Sequence, residues 1–288
     1  MKRGAGRFAP SPTGPLHLGS LLAATAAFLD ARARGDDWYV RLDDLDTDRN
    51  QPGASADILR TLEAHGLLWD GPVRYQHQRI EAYEAALDRV ARHGHIFYCG
   101  CSRREIGRNT RYPGTCRNRV HPTPDCAIRF RVDASAVAFD DLIQGPQRVE
   151  AAAVIGDFVI RRRDGIFAYA LATAVDDGAG DITRVIRGRD LLPHTAAQLL
   201  VMDALGLPRP TYGHLPLIVD AAGQKLSKQT LARALDLAQP VANLRHVLVA
   251  LGNAAAAEPT DSCEELLRCA IARWSLDDIP RHDLPEPL

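Results

Sequence analysis

The sequence predicts an α/β fold. It has a Rossmann-type parallel sheet, split by a small cysteine- and arginine-rich insertion and followed by a short helical tail. Three observations carry that prediction. Short strand-like runs at 6–9, 38–42, 181–186 and 215–219 alternate with longer stretches of helical apolar spacing, the order expected of parallel strands covered by helices. The first strand runs through a Pro/Gly loop directly into a helix. Three of the six cysteines lie between positions 99 and 116, beside an unusual density of arginine.

At the N-terminus, Gly6-Arg7-Phe8-Ala9 reads as the edge of a buried strand, and Pro10-Ser11-Pro12-Thr13-Gly14-Pro15-Leu16-His17-Leu18-Gly19-Ser20 as the loop and helix entry. Leu18, Leu21, Leu22, Phe28 and Leu29 recur at helical spacing. A strand, a loop and a helix N-terminus make an anion site, because backbone N–H groups and the positive end of the helix dipole point the same way. His17 adds a side-chain donor, and Gly19 lets a ligand approach the backbone. The next strand, 38–42, ends in Asp43-Asp44-Leu45-Asp46-Thr47-Asp48, flanked by Arg41 and Arg49. Ligands of α/β sheets collect beyond the carboxyl ends of strands. Asp43 is therefore the carboxylate best placed to hold an ammonium group or to organise arginines. Helices follow at 54–65 and 79–93; Ile80, Tyr83, Leu87 and Val90 form a core stripe with no chemistry assigned.

The stretch 95–150 departs from this alternation. Cys99-Gly100-Cys101 and Cys116 bracket the turn Tyr112-Pro113-Gly114-Thr115, and 103–119 holds six arginines against one acid, Glu105. Thiolates at this spacing suit a structural zinc that staples a loop-rich insertion, with Tyr112, His121 or Cys126 open as the fourth ligand. The arginines suit phosphates, which they position against without reading sequence.

Beyond it, 127–132 alternates as a half-buried strand. Residues 158–163 and 166–171 flank Asp164-Gly165 as a hairpin, with Tyr169 on its return strand. The strand 181–186 leads to Arg187, which at a strand end can grip a carboxylate through two parallel hydrogen bonds. A helix is expected over 194–205. After the strand-like 215–219 and an Asp-Ala-Ala-Gly turn comes Lys225-Leu226-Ser227-Lys228-Gln229. Only Lys2, Lys225 and Lys228 are lysines among 35 basic residues. An ammonium on a flexible stem suits charge on a moving phosphate. The tail reads as helices at 241–251 and from the capping-box pattern Ser262/Glu265.

Net charge is −1, so nucleic-acid contact needs a local basic patch. No run reaches the roughly 18 apolar residues of a membrane span, and Met1-Lys2-Arg3 is not followed by a signal-peptide core. A soluble cytoplasmic protein is expected, with reduced cysteines rather than a disulfide framework.

His17-Leu18-Gly19-Ser20 and Lys225-Leu226-Ser227-Lys228-Gln229 together resemble the paired signatures of class I aminoacyl-tRNA synthetases. Arg7-Phe8-Ala9-Pro10-Ser11-Pro12-Thr13-Gly14 resembles the start of the glutamyl branch. Ser20, the Gln229 ending and the short length resemble that branch's truncated paralogues.

The resemblance implies a class I synthetase catalytic domain in two halves, 1–94 and 151–229. The zinc-bearing, acceptor-end-like insertion would be 95–150, and 230–288 a helical tail without an anticodon-binding domain. It implies ATP with Mg²⁺ over Pro10, Ser11, Thr13, His17, Gly19 and Lys228, with His17, Lys225 and Lys228 catalytic. Glutamate would lie against Arg7, Phe8, Ala9, Pro10, Ser11, Asp43, Tyr169 and Arg187. At Asp43 the family usually has glutamate, one methylene longer. The family's zinc pattern matches Cys99, Cys101, Tyr112 and Cys116.

The expected activity is tRNA-independent activation of L-glutamate to the adenylate. Glutamate then passes to queuosine at the wobble position of tRNA(Asp), with the protein acting as a monomer. The alternatives are a minimal synthetase charging the 3′ end of tRNA(Glu), a zinc-dependent RNA-binding module with a vestigial nucleotide site, and a pantothenate-type nucleotidyltransferase.

Overall fold

A computed structural model describes residues 3–107, 111–118, 125–133, 136–219 and 234–285. Lys225, Lys228 and His121 therefore lie outside the described residues. In chain order the elements are β1 (Ala5–Phe8), α1 (Leu18–Ala33), β2 (Asp37–Leu42), α2 (Ala54–Ala64), β3 (Arg74–Tyr75), α3 (Ile80–Arg92), β4 (Ile96–Cys99) and α4 (Arg103–Ile106). There follow β5 (Ala127–Phe130), β6 (Val137–Asp141), β7 (Gly145–Val149), α5 (Ala151–Val154), β8 (Phe158–Arg161), α6 (Tyr169–Ala179), β9 (Arg184–Gly188) and α7 (Leu192–Ala204). The last are β10 (Thr211–Leu215), β11 (Ile218–Val219), α8 (Pro240–Ala250), α9 (Cys263–Ala272) and β12 (Leu284–Pro285).

Parallel pairing runs β3–β2–β1 on one side and β9–β10–β6 on the other, with β7 antiparallel on the β6 edge. The two sets meet where the Thr183 N–H donates to Ala5 O at 2.9 Å and the Ala5 N–H donates to Thr183 Oγ1 at 3.0 Å. Strand order thus reverses between β1 and β9. In such sheets a ligand crevice opens beyond the strand ends at that point.

One core cluster packs α1 against α8 and α9 through Leu21, Leu29, Leu244, Leu248 and Leu266. The other joins α3, α6 and α7 through Tyr83, Leu171 and Val201. α1 is buried on nearly every side, including Ala24, Ala26 and Ala27. A helix so covered has no need of a polar stripe, and the helical tail is what covers it.

Strand pairing does not follow the expected segment limits. β6 and β7, inside 95–150, join the large sheet through the Tyr212–Asp141 register and the Leu142 N–H to Tyr212 O bond of 2.8 Å. β8, beyond 150, completes the small antiparallel sheet β4–β5–β8. The Asp164-Gly165 turn forms, with Gly165 at φ +86° and one bridge between Arg161 and Phe167. Its return strand does not. The alanine-rich sequence after Phe167 favours helix, and Tyr169 is the first residue of α6. β9 starts three residues later than the expected strand, after Asp181 takes a left-handed turn at φ +62°. Such a backbone cannot continue a strand. Pro216, lacking an N–H, interrupts the run 215–219 between β10 and β11. Among the described residues no helix is long and apolar enough to cross a membrane.

Candidate active site and metal centre

A cavity of about 710 Å³ opens at the carboxyl ends of β1 and β9. Its walls include Arg7, Phe8, Ala9, Pro10 and Ser11 from β1 and the loop after it, then Thr13, His17 and Gly19. Tyr169 and Arg187 face them, and Arg49, Gln51 and Ile218 complete the rim. Ten of the predicted ligand-site residues are thus brought together from segments 180 positions apart. His17 caps α1, its Nδ1 accepting from the Ser20 N–H at 3.4 Å. Glycine at position 19 clears room for that ring, because an added Cβ would lie 3.1 Å from His17 Cε1. His17 also bridges Ala234, and the Leu235 N–H donates to Leu16 O at 3.3 Å. On either side of the Lys225/Lys228 segment, Ile218 thus lines the cavity and Ala234 pairs with His17, which lines it too.

Asp43 is not on that wall. It is buried with its Oδ1 accepting from Arg41 Nε at 2.7 Å, while its own N–H donates to Pro10 O at 3.0 Å. Arg41 Nη1 donates to Asp177 Oδ1 at 2.6 Å, and Arg7 holds the same carboxylate through Nε at 3.2 Å and Nη2 at 2.9 Å. Burial disfavours the charged form of Asp177, but Arg7 and Arg41 outweigh it and hold the carboxyl far below its ordinary range. The neighbouring Asp176 lies 3.5 Å from Arg41 Nε and accepts from Gln76, Arg79 and Tyr83 at 2.6–2.9 Å. Asp176 and Asp177 were absent from the sequence-predicted site. Two adjacent acids inside the apolar run ALATAVDDGAG were the available signal, since buried acids must find partners.

Arg187 is 3% exposed, and all but one of its N–H donors are engaged. Its Nε donates to His214 Nε2 at 3.1 Å, Nη1 to Tyr169 Oη at 3.3 Å, and Nη2 to Thr195 Oγ1 at 2.7 Å and Gln198 Oε1 at 2.9 Å. None of these partners is a carboxylate. Arg7 has its counter-ion in Asp177, whereas Arg187 is a buried cation facing the cavity with uncharged partners. An acidic ligand group is the complement of such a pocket, and a neutral one would not repay its desolvation.

In the insertion, the sulfurs of Cys99, Cys101 and Cys116 lie within 4.8 Å of one another, with Cys101 and Cys116 at 3.4 Å. The Tyr112 hydroxyl is 3.4 Å from Cys99 Sγ and 3.8 Å from Cys101 Sγ, and accepts from the Cys116 N–H at 2.7 Å. Tetrahedral zinc with bonds of about 2.3 Å separates its sulfurs by about 3.8 Å, so the donor set fits a metal ion of that kind. Cys126 is outside the group. Burial lifts the Cys101 thiol to about 11. At Cys116, hydrogen bonds from Tyr112 and Cys101 overcome burial and bring it down to about 7.

Residues 5–251 match the family described as tRNA synthetases class I (E and Q), catalytic domain. A glutamyl-Q tRNA(Asp) synthetase of Thiobacillus denitrificans is 48% identical over 96% of this chain and 95% of its own. One of Neisseria meningitidis is 45% identical over 98% and 99%. The structure of a glutamate tRNA ligase from Elizabethkingia meningosepticum in complex with its amino acid superposes with a TM-score of 0.83 at 25% identity, covering 99% of this chain and 67% of that one. The reversal of strand order at β1 and β9, the helix entry at His17 and the paired arginines agree with that match, and the chain belongs to the class I tRNA synthetase family of the glutamyl and glutaminyl type.

Proposed function

We propose that the protein activates L-glutamate with ATP to form glutamyl-adenylate, without requiring tRNA, and transfers the glutamate to queuosine at the wobble position of tRNA(Asp). The observation that carries this reading is the cavity at the β1/β9 junction. It sets a buried cation that has no carboxylate partner among the described residues opposite a helix N-terminus, in a chain similar along nearly its whole length to glutamyl-Q tRNA(Asp) synthetases.

ATP, entering with Mg²⁺, lies over Pro10, Ser11, Thr13, His17 and Gly19. The glutamate α-carboxylate attacks the α-phosphorus and pyrophosphate leaves. His17, Lys225 and Lys228 stabilise the charge that develops, so positioning and electrostatics supply most of the rate. Arg187, Arg7 and Tyr169 receive the substrate side chain beside Phe8, Ala9 and Ser11. The adenylate's carbonyl is then attacked by a hydroxyl of the queuosine cyclopentenediol, releasing AMP.

Cys99, Cys101, Cys116 and Tyr112 hold a structural zinc, which ties the insertion's loops to β4. The protein works as a cytoplasmic monomer.

ATP–pyrophosphate exchange without RNA, using glutamate, aspartate and glutamine in turn, tests the first half. Exchange with glutamate alone is expected, and its absence would remove tRNA-independent activation. Glutamylation of tRNA(Asp) with and without queuosine tests the second half. Equal transfer to unmodified tRNA would overturn the acceptor.

A further inference from the structure

A line of buried side chains crosses three adjacent strands behind the cavity. Asp141 closes β6, His214 lies on β10 and Arg187 on β9, with His214 and Arg187 opposite each other in register. Their exposures are 4%, 0% and 3%. Asp141 Oδ2 is 2.5 Å from His214 Nδ1, and Asp141 Oδ1 accepts backbone N–H groups of Ile143, Gln144 and His214 at 2.8–3.1 Å.

The Arg187 guanidinium can only donate. The Thr195 hydroxyl, also 3.1 Å from His214 Nε2, can donate to it as well, so Nε2 is the unprotonated nitrogen and the proton sits on Nδ1, donated to Asp141. Burial pushes His214 below its ordinary pKa, consistent with a neutral ring.

We propose that Asp141 and His214 are positioning residues for glutamate. Asp141 fixes the His214 tautomer, and His214 holds the Nε edge of Arg187 so that the remaining guanidinium donor faces the cavity. Because the imidazole accepts without carrying charge, Arg187 is oriented and yet not neutralised. The substrate carboxylate then supplies its counter-ion. A carboxylate in the place of His214 would pair with Arg187 and cancel that demand. The proposal rests on the glutamate reading of the cavity, but its tautomer arm does not.

The discriminating variant is Asp141→Asn. The Asn Oδ1 can keep the backbone bonds, but its amide would donate to Nδ1 and move the imidazole proton to Nε2, against the Arg187 Nε–H. Nitrogen NMR of His214 in the unliganded protein should show the Nδ1–H tautomer in the wild type and the Nε2–H form in Asp141→Asn. An Nε2–H ring in the wild type overturns the proposal whatever the substrate.

In ATP–pyrophosphate exchange, Asp141→Asn should raise the glutamate KM about 10- to 100-fold, the scale of one lost hydrogen bond to a charged group. The ATP KM should stay close to wild type. His214→Gln, which retains an acceptor and a donor, should recover most of the loss, while His214→Leu should not. Equal rises in both KM values, or no rise in either, reduce the line to a structural role. A wild type that does not respond to glutamate, with the Nδ1–H tautomer present, counts against the substrate reading rather than against the line.

Discussion

Arg41 is shared by Asp43 on one edge and Asp177 on the other, and Asp177 is shared in turn with Arg7. Asp177→Asn leaves two buried guanidinium groups with one anion fewer and should cost about 3–5 kcal/mol in urea unfolding at neutral pH. The pH dependence has a definite sign. The folded pKa of Asp177 lies below its unfolded value, so its contribution is complete above about pH 4 and declines as pH falls toward the folded value. The gap between wild type and Asp177→Asn should therefore narrow on acidification below pH 4, and a gap that widens there would contradict the assignment. Asp43 lies off the cavity wall, so Asp43→Asn should lower stability by about 1–3 kcal/mol and move the glutamate KM by less than about threefold. A large KM change at unchanged stability would return Asp43 to the ligand site. Of the two roles the sequence left open for Asp43, the arginine contact is the one seen, to Arg41 two residues earlier.

Some elements were legible in sequence because their causes are local. The Pro/Gly loop into α1, the stripe of α3 through Tyr83, Leu87 and Val90, and the Ser262 cap of α9 all formed, Ser262 Oγ accepting from the Glu265 N–H at 3.3 Å. What was missed depends on partners distant in sequence. β6 joins the large sheet through Tyr212, 71 positions away, and Asp141, His214, Thr195 and Gln198 acquire meaning only when β9, β10 and α7 stand side by side. Tyr169 starts a helix where a return strand is expected, because a six-residue apolar run has no period that separates strand from helix. At this scale the metal centre makes a sharp prediction. Cys116→Ser should reduce bound zinc from one equivalent to near none by elemental analysis, and raise proteolytic cleavage between Cys101 and Ala127. The α1, α8 and α9 core should melt as before, and full zinc in the variant would move the ligand set elsewhere.

Across the whole molecule, the chain's first motif and the flank of its second meet where His17 bridges Ala234. That meeting makes Lys228→Ala a test of the assembly as well as of one side chain. Adenylate formation should fall by at least about 100-fold, the scale of one lost preorganised donor. The melting temperature should stay unchanged, since α1 packs on the tail through Leu21, Leu29, Leu244 and Leu248. An unaltered rate would detach the second motif from the chemistry. The Cys101–Cys116 pair carries a different kind of consequence. With sulfurs 3.4 Å apart, a metal ion there would also serve as a protecting group. Stripped by a chelator in air, this pair is close enough to be oxidised to a disulfide. The crosslink would freeze the insertion's loop in a shape that no longer accepts zinc, so loss of metal becomes irreversible unless a reductant is present.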